Sequence, residues 1–151
     1  LLTTNKKITK LLFQGPKPHT RTYLVQVKNK MTPATAAALA GGIPISAPNG
    51  SQYLTSTCTV SILEDPAPYQ HLFDASLLTP AIRVHQNVVT SWVLITLTEG
   101  KFHQVRKMVA AVHHRCLRLI RVAIEAIYLG NLPAGEVKEL EEADFFKLLE
   151  L

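Results

Sequence analysis

The run Ser91-Trp92-Val93-Leu94-Ile95-Thr96-Leu97-Thr98 constrains this chain more than any other segment. At a repeat of two residues, Val93, Ile95 and Leu97 share one face of a strand, and Trp92 and Leu94 share the other. A strand that is largely apolar on both faces has to be covered on both, which places it centrally in a sheet. The next residues, Glu99 to Met108, begin with a turn glycine, Gly100, and pass into a helical pattern that mixes apolar and cationic side chains. A core strand feeding such a helix holds charge at the wall of a pocket.

Other segments supply the partners. Arg21 to Lys28 alternates as a strand, with Tyr23, Val25 and Val27 on one face and Thr22, Leu24, Gln26 and Lys28 on the other. Tyr53 to Leu63 and Cys116 to Tyr128 also read as strands, and Ile82 to His85 and Glu136 to Leu140 as short ones. Helical spacing covers Lys6 to Phe13 and Lys101 to Val112. Thr32-Pro33 is an N-cap followed by a first-turn proline, and the alanine-rich helix it opens stops at Gly41-Gly42. Glu141 to Leu149 closes the chain as a helix with acids in its first turn. Pro44 to Gly50 reads as a turn region, and Glu64 to Pro80 as a long proline-broken loop. Strands outnumber helices and several connections are short. The expected fold class is α+β, one domain over residues 1–151, with a mixed, mostly antiparallel sheet and helices packed on it.

No apolar run approaches the ~20 residues that a membrane helix needs, and Leu1 to Lys10 lacks the basic-then-apolar order of a signal peptide. Cys58 and Cys116 make neither a disulfide framework nor a metal site, so a cytoplasmic setting is expected. The formal net charge of +5 is unevenly spread. Residues 1–63 hold seven Lys/Arg and no acid. Residues 101–121 hold six, Lys101, Arg106, Lys107, Arg115, Arg118 and Arg121, again with no acid, while the two blocks between and after are net acidic. Segregated basic blocks point to a positive surface that meets a polyanion; the bland alternative is a solvated face with no partner.

On a helical wheel, Phe102, Val105, Met108, Val109 and Val112 form one apolar stripe. Arg106 lies just off it and Lys107 well away from it, which predicts a partly buried Arg106 and a solvent-facing Lys107. A partly buried guanidinium needs an acceptor. Glu99 or Glu125 could serve as a structural partner; a functional carboxylate or phosphate is the other reading. His103 and Gln104 occupy the first turn, where free amide N–H groups favour phosphate. His113-His114 lacks metal-ligand spacing. Tyr23, on a face with two valines, is placed as core tyrosines usually are.

The stretch Glu99-Gly100-Lys101-Phe102-His103-Gln104-Val105-Arg106-Lys107-Met108, followed by Arg115-Cys116-Leu117-Arg118-Leu119-Ile120-Arg121, resembles the C-terminal motif of bacterial ribosomal-RNA pseudouridine synthases of the RsuA/RluE type. Thr90-Ser91-Trp92, Arg21-Thr22-Tyr23-Leu24-Val25-Gln26-Val27 and Leu129-Gly130-Asn131-Leu132-Pro133-Ala134-Gly135-Glu136 fit the same pattern in order. The resemblance implies a pseudouridine synthase-like fold and an isomerase that turns a uridine of RNA into pseudouridine. The glycosidic bond breaks, the uracil rotates, and its C5 rejoins the ribose. It implies no cofactor and no metal, RNA (ribosomal RNA above all) as partner, no membrane, and a monomer. Carried over by position, it pairs Arg106 with the catalytic aspartate and sets Tyr23 at the target base, where it assists proton transfer. Leu119 or Ile120 lines the substrate pocket, together with Gln104. Lys101, His103, Lys107, Arg115, Arg118 and Arg121 hold the RNA.

The family's catalytic aspartate sits in a Gly-Arg-Leu-Asp segment, and none occurs here. The aspartates present are Asp65, Asp74 and Asp144, in the proline-broken loop and the closing helix. The expectation is a catalytic domain truncated at its N-terminus and inactive as given. The alternative is a non-catalytic RNA-binding module on the same fold. Asn5-Lys6-Lys7 stands where Asp-Gly or Asn-Gly is usual, and His113 where a glycine is usual, at a turn expected to want a positive φ.

Overall fold

The computed structural model describes residues 3–72 and 88–149. In chain order the elements are α1 (Lys6–Gln14), β1 (Arg21–Lys28), α2 (Pro33–Ala40), β2 (Pro44–Ser46), β3 (Gln52–Leu54), β4 (Thr59–Leu63), a 3-10 segment (Ala67–Leu72), β5 (Thr90–Leu97), α3 (Gln104–Ala111), β6 (Cys116–Ile124), β7 (Ile127–Tyr128) and α4 (Glu142–Leu148). Five strands form one sheet in the order β4-β5-β1-β6-β7, and β2 and β3 form a separate hairpin. Every pairing among the described strands is antiparallel. The α+β class stands, with no parallel pair among those strands.

The two-faced pattern of β1 and β5 organises the layers. Val25 and Val27 pack with Val93, Ile95 and Leu97 on one face, beneath Leu39 of α2 and Val105, Met108 and Val109 of α3. Leu24 and Trp92 pack with Val122 on the other face, covered in part by Tyr69 and Leu72 of the 3-10 segment. Ile8 and Leu12 of α1 meet Phe145 and Leu149 in a third cluster. Asn5 caps α1 through Lys7 N at 3.0 Å and also donates to Glu142 at 2.7 Å, so an asparagine without a following glycine still has work at this turn.

Several boundaries differ from those expected. Tyr53 to Leu63 is two strands: Thr55 N still bonds Ile43 O (3.1 Å) in the β2–β3 register, and Cys58 N then turns to Ala40 O (2.9 Å) before β4 pairs with β5. The residues expected as a plain turn, Pro44 to Gly50, begin with β2. Gly42 holds φ +95, and a Cβ there would lie 2.5 Å from Thr55 O, so glycine lets the end of α2 approach the hairpin. Cys116 to Tyr128 breaks at Glu125, whose φ is +46. Glu136 to Leu140 is not a strand: Glu136 N turns back to Pro133 O at 3.2 Å. Ile82 to His85 and Asp74 lie outside the described residues.

Candidate functional site

The turn after β5 builds the site. Glu99 and Gly100 leave the sheet, and His103 takes a left-handed conformation (φ 54°, ψ 30°) before α3 begins at Gln104. The helix therefore starts later than Lys101. Gln104 is buried and acts as the clamp of this turn: its Oε1 accepts from Lys101 N at 2.8 Å, and its Nε2 donates to Glu99. Glu99 also accepts from Tyr53 Oη, from Ser56 N at 2.9 Å and from Ser56 Oγ at 3.2 Å. Partial burial pushes the Glu99 carboxyl up, but these hydrogen bonds outweigh it and hold it below the usual glutamate range. The same contact with Glu99, aided by burial, raises the Tyr53 phenol.

The late helix start changes the wheel. Phe102 leaves the apolar stripe and is 61% exposed, stacked on His103 at 4.0 Å between ring centroids. Without it the stripe's centre moves away from Arg106, which is exposed rather than partly buried. Lys107, expected in water, is half-buried, because the β2–β3 hairpin lies against α3 and Ser46 O accepts from Lys107 Nζ at 2.6 Å. Neither carboxylate suggested for Arg106 serves it. Glu99 belongs to the clamp, and Glu125 accepts from Thr20 N at 2.6 Å and Thr20 Oγ at 3.0 Å, with His19 Nδ1 3.4 Å away.

A shallow cleft of about 170 Å3 opens between the Tyr23 end of β1, Leu119 of β6 and the turn from Glu99 into α3. Tyr23, Leu97, Val105 and Leu119 give it an apolar floor. Glu99, Lys101, His103, Gln104 and Arg106 give it a polar, mostly cationic wall. His103, at the N-cap of α3, makes no side-chain capping hydrogen bond, and Gln104 N turns back to Lys101 O at 3.1 Å. Among the described residues, no group of three His, Cys, Asp or Glu side chains is placed to hold a metal ion, and no helix is long and apolar enough to cross a membrane.

No family model matches the chain. It is 30% identical over 141 residues to the ribosomal large subunit pseudouridine synthase E of Vibrio vulnificus, covering 93% of this chain and 55% of that protein. It is likewise 30% identical over 132 residues to the ribosomal small subunit pseudouridine synthase A of Salmonella typhimurium, covering 86% and 45%. This chain is a homologue of the ribosomal pseudouridine synthases. It spans about half the length of the curated relatives it matches. A solved structure described as a pseudouridylate synthase superposes with a TM-score of 0.72 at 24% identity, covering 97% of this chain and 52% of that one, which identifies the fold.

The pseudouridine synthase homologue gathers six of its sequence-derived candidates at the cleft: Tyr23, Leu119, Gln104, Arg106, Lys101 and His103. Arg121 pairs with Tyr23 across β1 and β6, so it shares that face and stands exposed beside the tyrosine. Ile120 does not line this cleft. Strand alternation turns it to the opposite face, where it packs with Leu24. Arg118 pairs with Gln26 on that same far face. Arg115 is exposed at the other end of the sheet, where its carbonyl accepts from Lys28 N. Among the described aspartates, Asp65 caps Ala67 N at 2.8 Å and Asp144 lies in α4; neither lines the cleft.

Proposed function

We propose that this chain supplies the base-binding and RNA-holding side of a cytoplasmic RNA pseudouridine synthase acting on a uridine of ribosomal RNA. One observation carries the reading: Tyr23, Leu119 and Arg106, which lie far apart in sequence, line a single cleft. The floor suits the flat face of a uracil: Leu119 and Tyr23 offer apolar and aromatic surface at low entropic cost. A base reaches such a cleft only when flipped from its stack, so the phosphates on either side need cationic partners. Lys101, Arg106 and Arg121 are exposed around it and provide them.

Arg106 has no carboxylate partner among the described residues, and its guanidinium stands ready for an aspartate that attacks the target nucleoside. No described aspartate lies there, and none of the chain's aspartates stands in a Gly-Arg-Leu-Asp segment, so on this reading the 151 residues bind without isomerising. Glu99 does not substitute for it, since four donors already occupy its oxygens.

Two measurements test this. Affinity for a structured ribosomal RNA fragment should fall steeply as salt rises, and a flat response would remove the RNA reading. Tritium release from 5-tritiated uridine in RNA should be absent with these 151 residues. It should appear when a Gly-Arg-Leu-Asp segment precedes Leu1, and Arg106→Ala should abolish it. Release by the 151 residues alone would refute the division of roles.

A further inference from the structure

Phe102 sits where helical periodicity does not put it. The left-handed turn at His103 lifts it out of the apolar stripe and leaves it 61% exposed, between two residues that line the cleft. Its ring stacks on His103 with an interplanar angle of 14°. Lys107 Nζ, fixed by Ser46 O, lies 5.4 Å from its centroid. Lys101 Nζ lies 4.6 Å over the Tyr53 ring. The rim of the cleft thus interleaves rings and ammonium groups.

We propose that Phe102, backed by His103, is a stacking platform for the unpaired nucleobase next to the uridine in the cleft. The proposal rests on the RNA reading above. A flipped nucleotide leaves its neighbour with an exposed face, and a sequence-tolerant aromatic surface is what single-stranded nucleic acid uses to bury it. A protein partner fits the surroundings less well. Docking would need a continuous apolar patch, whereas Phe102 is flanked by cations within residues 101–121, a block without a single acid. Lys101 and Lys107 are placed to receive the phosphates on either side of a stacked base.

The test uses the 151-residue chain and a short oligouridylate carrying one 2-aminopurine and an end dye. Stacking quenches the purine, and dye anisotropy reports binding independently. Wild type and Phe102→Tyr should bind and quench. Phe102→Leu keeps apolar surface without a π-face; it should lose the quenching and bind roughly tenfold more weakly. Because the ring is exposed, its thermal midpoint should match wild type, which separates stacking from folding. Binding and quenching unchanged in Phe102→Leu would overturn the platform and leave the RNA reading intact. No binding by wild type at low salt would overturn both.

Discussion

Tyr53 of the β2–β3 hairpin donates its phenol hydroxyl to the carboxylate of Glu99 at the wall of the cleft, 46 positions away in sequence. Ser56 donates to the same carboxylate from its backbone and its hydroxyl, and Gln104 donates to it from the start of α3. One acidic side chain therefore ties a hairpin outside the main sheet to the turn that carries Lys101, Phe102 and His103. The geometry of the cationic wall depends on a residue that does not itself bind an anion.

Glu99→Gln should loosen this tie. Charge-assisted hydrogen bonds to a partly buried carboxylate support a loss of about 1–2 kcal/mol at pH 7, read as a lower urea midpoint. The folded-state carboxyl is held below its ordinary value. Its stabilisation is therefore fully present above the ordinary glutamate range and lost as pH falls through the lowered folded value. The gap between wild type and Glu99→Gln should narrow on acidification from pH 7 towards pH ~3. A gap that widens on acidification would contradict the assignment.

Arg106 and Lys107 should separate cleanly, in the opposite sense from the wheel. Arg106 is exposed without a carboxylate, so Arg106→Ala should change stability by less than about 0.5 kcal/mol while weakening RNA binding. Lys107 holds Ser46 O, so Lys107→Ala should cost about 0.5–1.5 kcal/mol and release the hairpin from α3. Urea titration and RNA anisotropy on the two variants decide it. Equal stability losses would show that the Lys107–Ser46 contact does not hold the hairpin.

The parts legible in the sequence are those set by strict periodicity. The two faces of Arg21–Lys28 and the central place of Ser91–Thr98 follow from alternation, and both appear in the sheet. The Thr32 cap and the Gly41-Gly42 stop follow from local backbone chemistry, and Thr32 Oγ1 accepts from Thr35 N at 3.2 Å. What was not legible depends on contacts distant in sequence. Two register shifts between β1 and β6 decide which of Leu119 and Ile120 meets the cleft, and alternation alone cannot count bulges. The exposure of Phe102 follows from one left-handed residue, His103, that no period reveals. The Tyr53–Glu99 contact has no local signal at all.

Glu125 should prove structural. Its side chain accepts two hydrogen bonds from Thr20 and faces the fully buried ring of His19. Glu125→Ala would leave Thr20 N–H without its acceptor and the imidazole without its facing carboxylate. The expected loss is about 2–3 kcal/mol, with Glu125→Gln losing less because an amide oxygen still accepts from Thr20. Since Glu125 lies outside the cleft, oligouridylate binding by whatever fraction remains folded should match wild type. A binding defect without a stability defect would place Glu125 in the RNA site instead.

His113 offers the reverse case, a position where substitution should stabilise. It follows α3 with φ +64, in the place where a helix commonly ends on glycine. The turn is well bonded: His113 N reaches Ala110 O at 3.0 Å and His114 N reaches Val109 O at 2.9 Å. It is held by His114, whose buried ring contacts Lys28 O at 2.8 Å, so the left-handed residue cannot relax. A left-handed L-residue costs roughly 1–2 kcal/mol. Glycine removes that strain but returns roughly 0.5–1 kcal/mol through the greater freedom of the unfolded chain. His113→Gly should therefore raise stability, by up to about 1.5 kcal/mol. His113→Val, stiff at its branched Cβ, should lower it. The same glycine at His114 should destabilise, since it deletes the buried contact to Lys28. Urea denaturation of the three variants gives the order. If His113→Gly is the less stable protein, the exposed imidazole contributes more than its backbone costs, and the turn is kept for its side chain rather than in spite of it.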